Sequence, residues 1–176
     1  WALERAGVAY RESAHLPLFH VAAVRRHGGK RSTPSLVTDE GVLGDSSDIL
    51  TWIDRKKPGA NLFGSTDAER GEILRWEARF DDDLGPHTRR WAYFQLLPRA
   101  ATMVRFSRTR RETPALERTL MPLVFPLARA LMRRSMRIDA EGARRSFAKV
   151  EQVFDDVGRA LADGRRFLVG DAFSAA

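Results

Sequence analysis

Cysteine is absent from this 176-residue chain, which excludes disulfide frameworks, zinc clusters built on thiolates, and thiol chemistry carried by the protein's own sulfur. Any thiol chemistry must use the sulfur of another molecule. Also absent is any run approaching the roughly 20 consecutive apolar residues that a membrane-spanning helix needs, and the N-terminus shows no basic-then-apolar leader pattern. A cytoplasmic location, with no integral membrane association, is the expectation. The histidines are His15, His20, His27 and His87. They lack metal-ligand spacing and cysteine partners, so they read as surface or packing residues and no metal is expected. No internal repeat or low-complexity tract occurs.

With 43% hydrophobic and 30% charged residues, the composition is that of an ordinary folded protein. The length suits one good core or two small domains, so domain count must come from pattern. The net charge of +7 is uneven: residues 1–85 hold 12 basic and 14 acidic groups, and residues 86–176 hold 18 and 9. Arginine supplies nearly all the basic groups, through genome composition or through a phosphate-rich partner.

Trp1 to Ala6 reads as the end of a helix closed by Gly7, which suits the left-handed position after a helix. Val8 to Glu12 alternates apolar and polar side chains as a half-buried strand does. Leu16 to Arg26 is a loop and short helix closed by Gly28 and Gly29. Ser35 to Thr38 and Val42-Leu43 flank Asp39-Glu40-Gly41, a hairpin with glycine at the turn. Ser46 or Ser47 then caps a helix through Ile49, Leu50 and Ile53. Pro58 to Gly64 is loop-like and marks a domain boundary.

Beyond it the pattern is helical only. Thr66 and Glu69 form a capping box before an apolar face of Ile73, Leu74, Trp76, Phe80 and Leu84. Gly85-Pro86 breaks that helix, and a second stretch holds Trp91, Phe94, Leu96 and Leu97. Thr113-Pro114 opens a third helix, which Pro122 and Pro126 should bend. Asp139 caps a fourth, where Ala143, Phe147, Val150, Phe154, Val157 and Leu161 make one stripe that stops before Gly164.

The segment Ser32-Thr33-Pro34-Ser35-Leu36-Val37, then Gly41-Val42, then Asp45-Ser46-Ser47-Asp48-Ile49-Leu50, resembles the glutathione-binding half of glutathione transferases. Phe167-Leu168-Val169-Gly170-Asp171 followed by Phe173-Ser174 is similar to that family's loop and cap before its buried C-terminal helix. Together the two motifs cover nearly the whole chain. The resemblance implies an α/β thioredoxin-like domain over 1–57, a linker over 58–64 and an all-α domain over 65–176. It makes both ends look cut: the family's first strand, with the Tyr, Ser or Cys that activates the glutathione thiol, would precede Trp1. No residue here takes that catalytic role.

Without the resemblance, Pro34 is an ordinary trans turn proline; with it, Thr33-Pro34 would be cis. The backbone N–H and C=O of Thr33 would then pair with the cysteinyl unit of glutathione like an added strand. Asp45 and Ser46 sit where a helix begins, and exposed N–H groups there favour a carboxylate. Serine and aspartate also cap helices with no ligand involved. The resemblance implies that Ser46 binds the γ-glutamyl carboxylate of glutathione and Asp45 accepts from the α-ammonium group. Lys30 or Arg31 would meet the glycine carboxylate.

Leu127 to Ile138, with Arg129, Arg133, Arg134 and Arg137, is a basic amphipathic stretch, and Arg105, Arg108, Arg110 and Arg111 form a second basic cluster. Such stretches lie on anionic lipid or phosphate in some proteins, but more often they face core and water. No nucleic-acid partner is expected. The resemblance implies a homodimeric enzyme that uses glutathione as cosubstrate and directs its thiolate at a small electrophile. A non-catalytic binding or scaffold protein of the same fold is the alternative, and a chain-end hydroxyl or thiol on the first strand separates the two.

Overall fold

The computed structural model describes residues 1–176. Contacts divide the chain into two units: Trp1–Ala60 with Arg99–Leu131, and Asn61–Pro98 with Met132–Ala176.

In the first unit, helix α1 (Ala2–Arg5) ends where expected, with Gly7 at φ +63° and the Val8 N–H donating back to the Leu3 carbonyl at 2.9 Å. The Arg5 Nε donates to the Ala60 carbonyl at 3.1 Å and ties this end of the chain to the loop after helix α3 (Ser46–Lys56). Val8 to Glu12 does not form the strand that its alternation suggested. A strand is defined by its ladder, and no other segment pairs with this one; the sheet has two strands only. Helix α2 (Phe19–Arg26) follows.

Strands β1 (Leu36–Thr38) and β2 (Gly41–Leu43) pair antiparallel, Leu36 opposite Leu43 and Thr38 opposite Gly41. Gly41 takes φ +131°, a conformation that side chains disfavour. The turn is braced by Thr38, whose hydroxyl donates to the Gly41 carbonyl at 2.9 Å and accepts from the Glu40 N–H at 3.1 Å. Glu40 also pairs with Arg55 and Lys56, which fastens the hairpin turn to the last turn of α3. Those cations, Lys56 first, hold the Glu40 carboxyl below its ordinary range. Ile53 of α3 is fully buried.

Helix α6 (Ala100–Thr109) has no counterpart among the sequence expectations, which pass directly to Thr113-Pro114. Its N-terminus carries no side-chain cap, so the sequence there lacks a local start signal. Helix α7 (Ala115–Ser135) keeps Pro122 and Pro126 inside one continuous helix, with Glu117, Met121, Phe125 and Ala128 buried along one face. Both prolines lie on the exposed side of the helix.

In the second unit, helix α4 (Asp67–Arg79) starts at the expected capping box: Thr66 Oγ1 accepts from the Glu69 N–H, and the Glu69 carboxylate accepts from the Thr66 N–H at 3.1 Å. Gly85-Pro86 is not a break. A π-helical turn (Phe80–Leu84) runs directly into α5 (Gly85–Leu96). The Gly85 N–H donates to the Phe80 carbonyl in the π-helical turn, and this local change of hydrogen bonding carries the helix past the N–H that Pro86 lacks.

Helix α8 (Ala140–Ala160) is capped as expected by Asp139, which accepts from the Gly142 N–H at 2.6 Å, and it packs against α5. The buried side chains of α8 are Ala143, Ser146 and Val153, whereas Phe147 and Phe154 are 42% and 62% exposed. The apolar stripe read from the sequence therefore lies only partly on the packing face: Ala143 is buried and Phe147 meets the Trp91 ring of α5 at 5.5 Å between centroids, while Phe154 faces outward. The packing face also holds a polar anchor. Ser146 is completely buried; its hydroxyl accepts from Arg90 Nη1 at 3.0 Å and lies 3.1 Å from His87 Nδ1, while Arg90 Nε donates to the Met136 carbonyl at 2.8 Å. Burying these groups is tolerable only because they satisfy one another. A second pairing, Arg79 to Asp156 at 2.7 Å, joins α4 to α8.

Candidate functional site

The residues singled out in the sequence lie on two segments of the first unit: Lys30 to Pro34, between α2 and β1, and Asp45 and Ser46, at the start of α3. The first segment leaves α2 through Gly28, at φ +88°, and Gly29. A Cβ on Gly29 would stand 2.6 Å from a Val24 methyl and 3.3 Å from one of Val42, so only glycine lets the chain pass between α2 and β2. The Thr33–Pro34 peptide is cis. Lys30, Thr33 and Pro34 are exposed.

One hydrogen bond joins the two segments. Ser32 Oγ donates to the Gly44 carbonyl at 2.6 Å, which holds the Thr33-Pro34 turn against the residue preceding Asp45. Ser32 was not among the expected site residues. Its partner lies across the hairpin, and nothing in the local sequence signals that pairing.

The cap of α3 is Asp45, where the sequence had suggested Ser46 or Ser47. Asp45 takes an extended backbone, and its Oδ1 accepts from the Ser47 N–H at 3.0 Å. Aspartate is among the strongest caps, and its short carboxylate reaches the N–H two residues on. Ser46 is instead the first helical residue, half-buried, with no hydrogen bond from its hydroxyl. Its N–H belongs to the first turn, where backbone donors have no partner inside the helix. Lys30 and Arg31 are exposed and form no ion pair, so the structure does not choose between them.

The arrangement offers, within one edge of the unit, the polar backbone of an exposed turn, the positive end of an 11-residue helix, a free hydroxyl, a carboxylate and two cations. Such a set complements an extended molecule bearing both carboxylates and an ammonium group. Across the chain, no group of three or more His, Asp or Glu is placed to hold a metal ion, and no helix is long and apolar enough to cross a membrane.

Residues 1–61 match a family model described as glutathione S-transferase, N-terminal domain. No curated protein and no solved structure matches the chain.

Proposed function

We propose that the protein is a glutathione transferase-type enzyme, on the footing that residues 1–61 match the family model for the glutathione S-transferase N-terminal domain. In this reading glutathione lies along the Thr33-Pro34 turn, its cysteinyl backbone pairing with Thr33. Its γ-glutamyl carboxylate sits at the N-terminus of α3 against the Ser46 hydroxyl and N–H, and Asp45 accepts from the α-ammonium group. Lys30 meets the glycine carboxylate. The bound thiolate is then directed at an electrophilic small molecule.

The observation that carries the reading is the Ser32 to Gly44 bond, which gathers the turn and the helix start into one site. The fold assignment is part of the same proposal: a thioredoxin-like domain over 1–57, a linker over 58–64, and a helical domain over 65–176 that shapes the electrophile pocket. A homodimer is the proposed assembly.

Calorimetric titration of glutathione into the protein, beside its Ser46→Ala variant, tests the site. Saturable binding weakened about tenfold by the variant, equivalent to roughly 1.4 kcal/mol, is the expected result. No heat of binding at about 10 mM ligand would overturn the proposal, since a dissociation constant above that level is worth under roughly 3 kcal/mol.

A further inference from the structure

A second set of reactive side chains lies in the same unit and takes no part in the glutathione site. Ser13, Ala14 and His15 belong to a loop without regular structure, and Ser13 Oγ lies 3.2 Å from His15 Nε2. The other ring nitrogen, Nδ1, lies 2.6 Å from Glu117 Oε1, in the first turn of α7. The second carboxylate oxygen of Glu117 accepts from the Leu16 N–H at 2.8 Å, so the carboxylate cannot rotate away from the ring. Exposure falls inward along the chain of contacts: Ser13 is exposed, the His15 side chain is 21% accessible and that of Glu117 10%.

A carboxylate fixed on Nδ1 selects the tautomer with its proton there, which leaves the Nε2 lone pair to accept from the serine hydroxyl. The order serine, imidazole, buried carboxylate, with the base oriented by a third group, is the arrangement that activates a hydroxyl as a nucleophile. We propose that Ser13, His15 and Glu117 form a hydrolytic relay that acts on small, activated carboxylic esters reaching the exposed Ser13.

In the reaction, Ser13 Oγ attacks the ester carbonyl carbon as its proton passes to His15 Nε2. The bond to the alcohol oxygen breaks, and the imidazolium returns the proton to that leaving oxygen. A water molecule, giving its proton to the same Nε2, then cleaves the acyl-serine. The carboxylic acid is released and the serine hydroxyl restored. Glu117 accepts from Nδ1–H throughout and faces the positive charge that the ring gains.

The test uses p-nitrophenyl acetate and a fluorophosphonate probe on the whole chain. Ser13 is exposed, so Ser13→Ala leaves the packing unchanged, and p-nitrophenol release is expected to fall about a hundredfold, the usual contribution of a positioned base and its nucleophile. The probe should label Ser13, as read by peptide mass spectrometry. Equal hydrolysis by the variant, no labelling, or labelling elsewhere would each overturn the relay.

A second measurement is independent of substrate fit. Ser13→Cys introduces the only thiol in the chain. Its alkylation by iodoacetamide should be about tenfold faster than in Ser13→Cys/His15→Gln, because an adjacent imidazole raises the thiolate fraction. Equal rates in two variants with matching circular dichroism would refute the contact between Ser13 and His15 on which the relay depends.

Discussion

Ser32 Oγ donates to the Gly44 carbonyl at 2.6 Å, and this bond joins the exposed Thr33-Pro34 turn to the start of α3. A single neutral hydrogen bond contributes about 1 kcal/mol net. Ser32→Ala should therefore weaken glutathione binding about fivefold by calorimetry, although Ser32 is assigned no contact with the ligand. Unchanged affinity would show that the turn is positioned without it.

Asp45 caps α3 through the Ser47 N–H at 3.0 Å. Asp45→Ala should cost about 1 kcal/mol in urea unfolding, and Asp45→Asn, itself a good cap, much less. The two variants separate capping from ligand binding, because Asp45→Asn keeps the cap while losing the charge offered to the α-ammonium group. It should retain stability and still bind glutathione more weakly. If both variants bind as the unmodified protein does, Asp45 is a cap and nothing more.

His87 lies between α5 and α8, and burial first, then the nearby Arg90 charge, pushes its imidazole below the ordinary value of 6.5. The folded protein resists a proton that the unfolded chain accepts. Stability is thus fully present above pH 6.5 and declines as the pH falls from there toward the lowered value. His87→Gln should flatten this part of a stability–pH curve from chemical denaturation. An identical slope in the variant would assign the acid sensitivity to other groups.

Val153 and Phe154 are adjacent on α8, yet the first is fully buried and the second is 62% exposed. Val153→Ala should destabilise the protein by about 2 kcal/mol, through lost burial and the cavity left behind. Phe154→Ala should stay within about 0.5 kcal/mol. The opposite ranking would put Phe154 in place of Val153 on the packing face.

Where the determinants are local, the sequence was legible. The Thr66 to Glu69 capping box, the Asp139 cap and the hairpin closing at Gly41 each depend on side chains within four residues of the backbone they satisfy. The proposed site residues Thr33, Pro34, Asp45 and Ser46 were singled out by the order of one short stretch, whereas the Ser32 to Gly44 bond that joins its two ends was not. Val8 to Glu12 misled because alternation reports which faces a strand would have, not whether a neighbour exists to pair with it.

The sequence by itself determined the Thr66 to Glu69 capping box, the Asp139 cap and the hairpin turn at Gly41, since caps and turns of this kind act over a few residues and depend on little else. Only the tertiary structure decided which face of α8 turns inward, that Ser32 reaches Gly44, and that Glu117 meets His15 across 102 positions. Those outcomes depend on distant groups arriving at the same place. A buried Ser146 hydroxyl must find Arg90, and a buried Glu117 carboxylate must find donors, because leaving either unpaired would cost more than burying an apolar side chain returns.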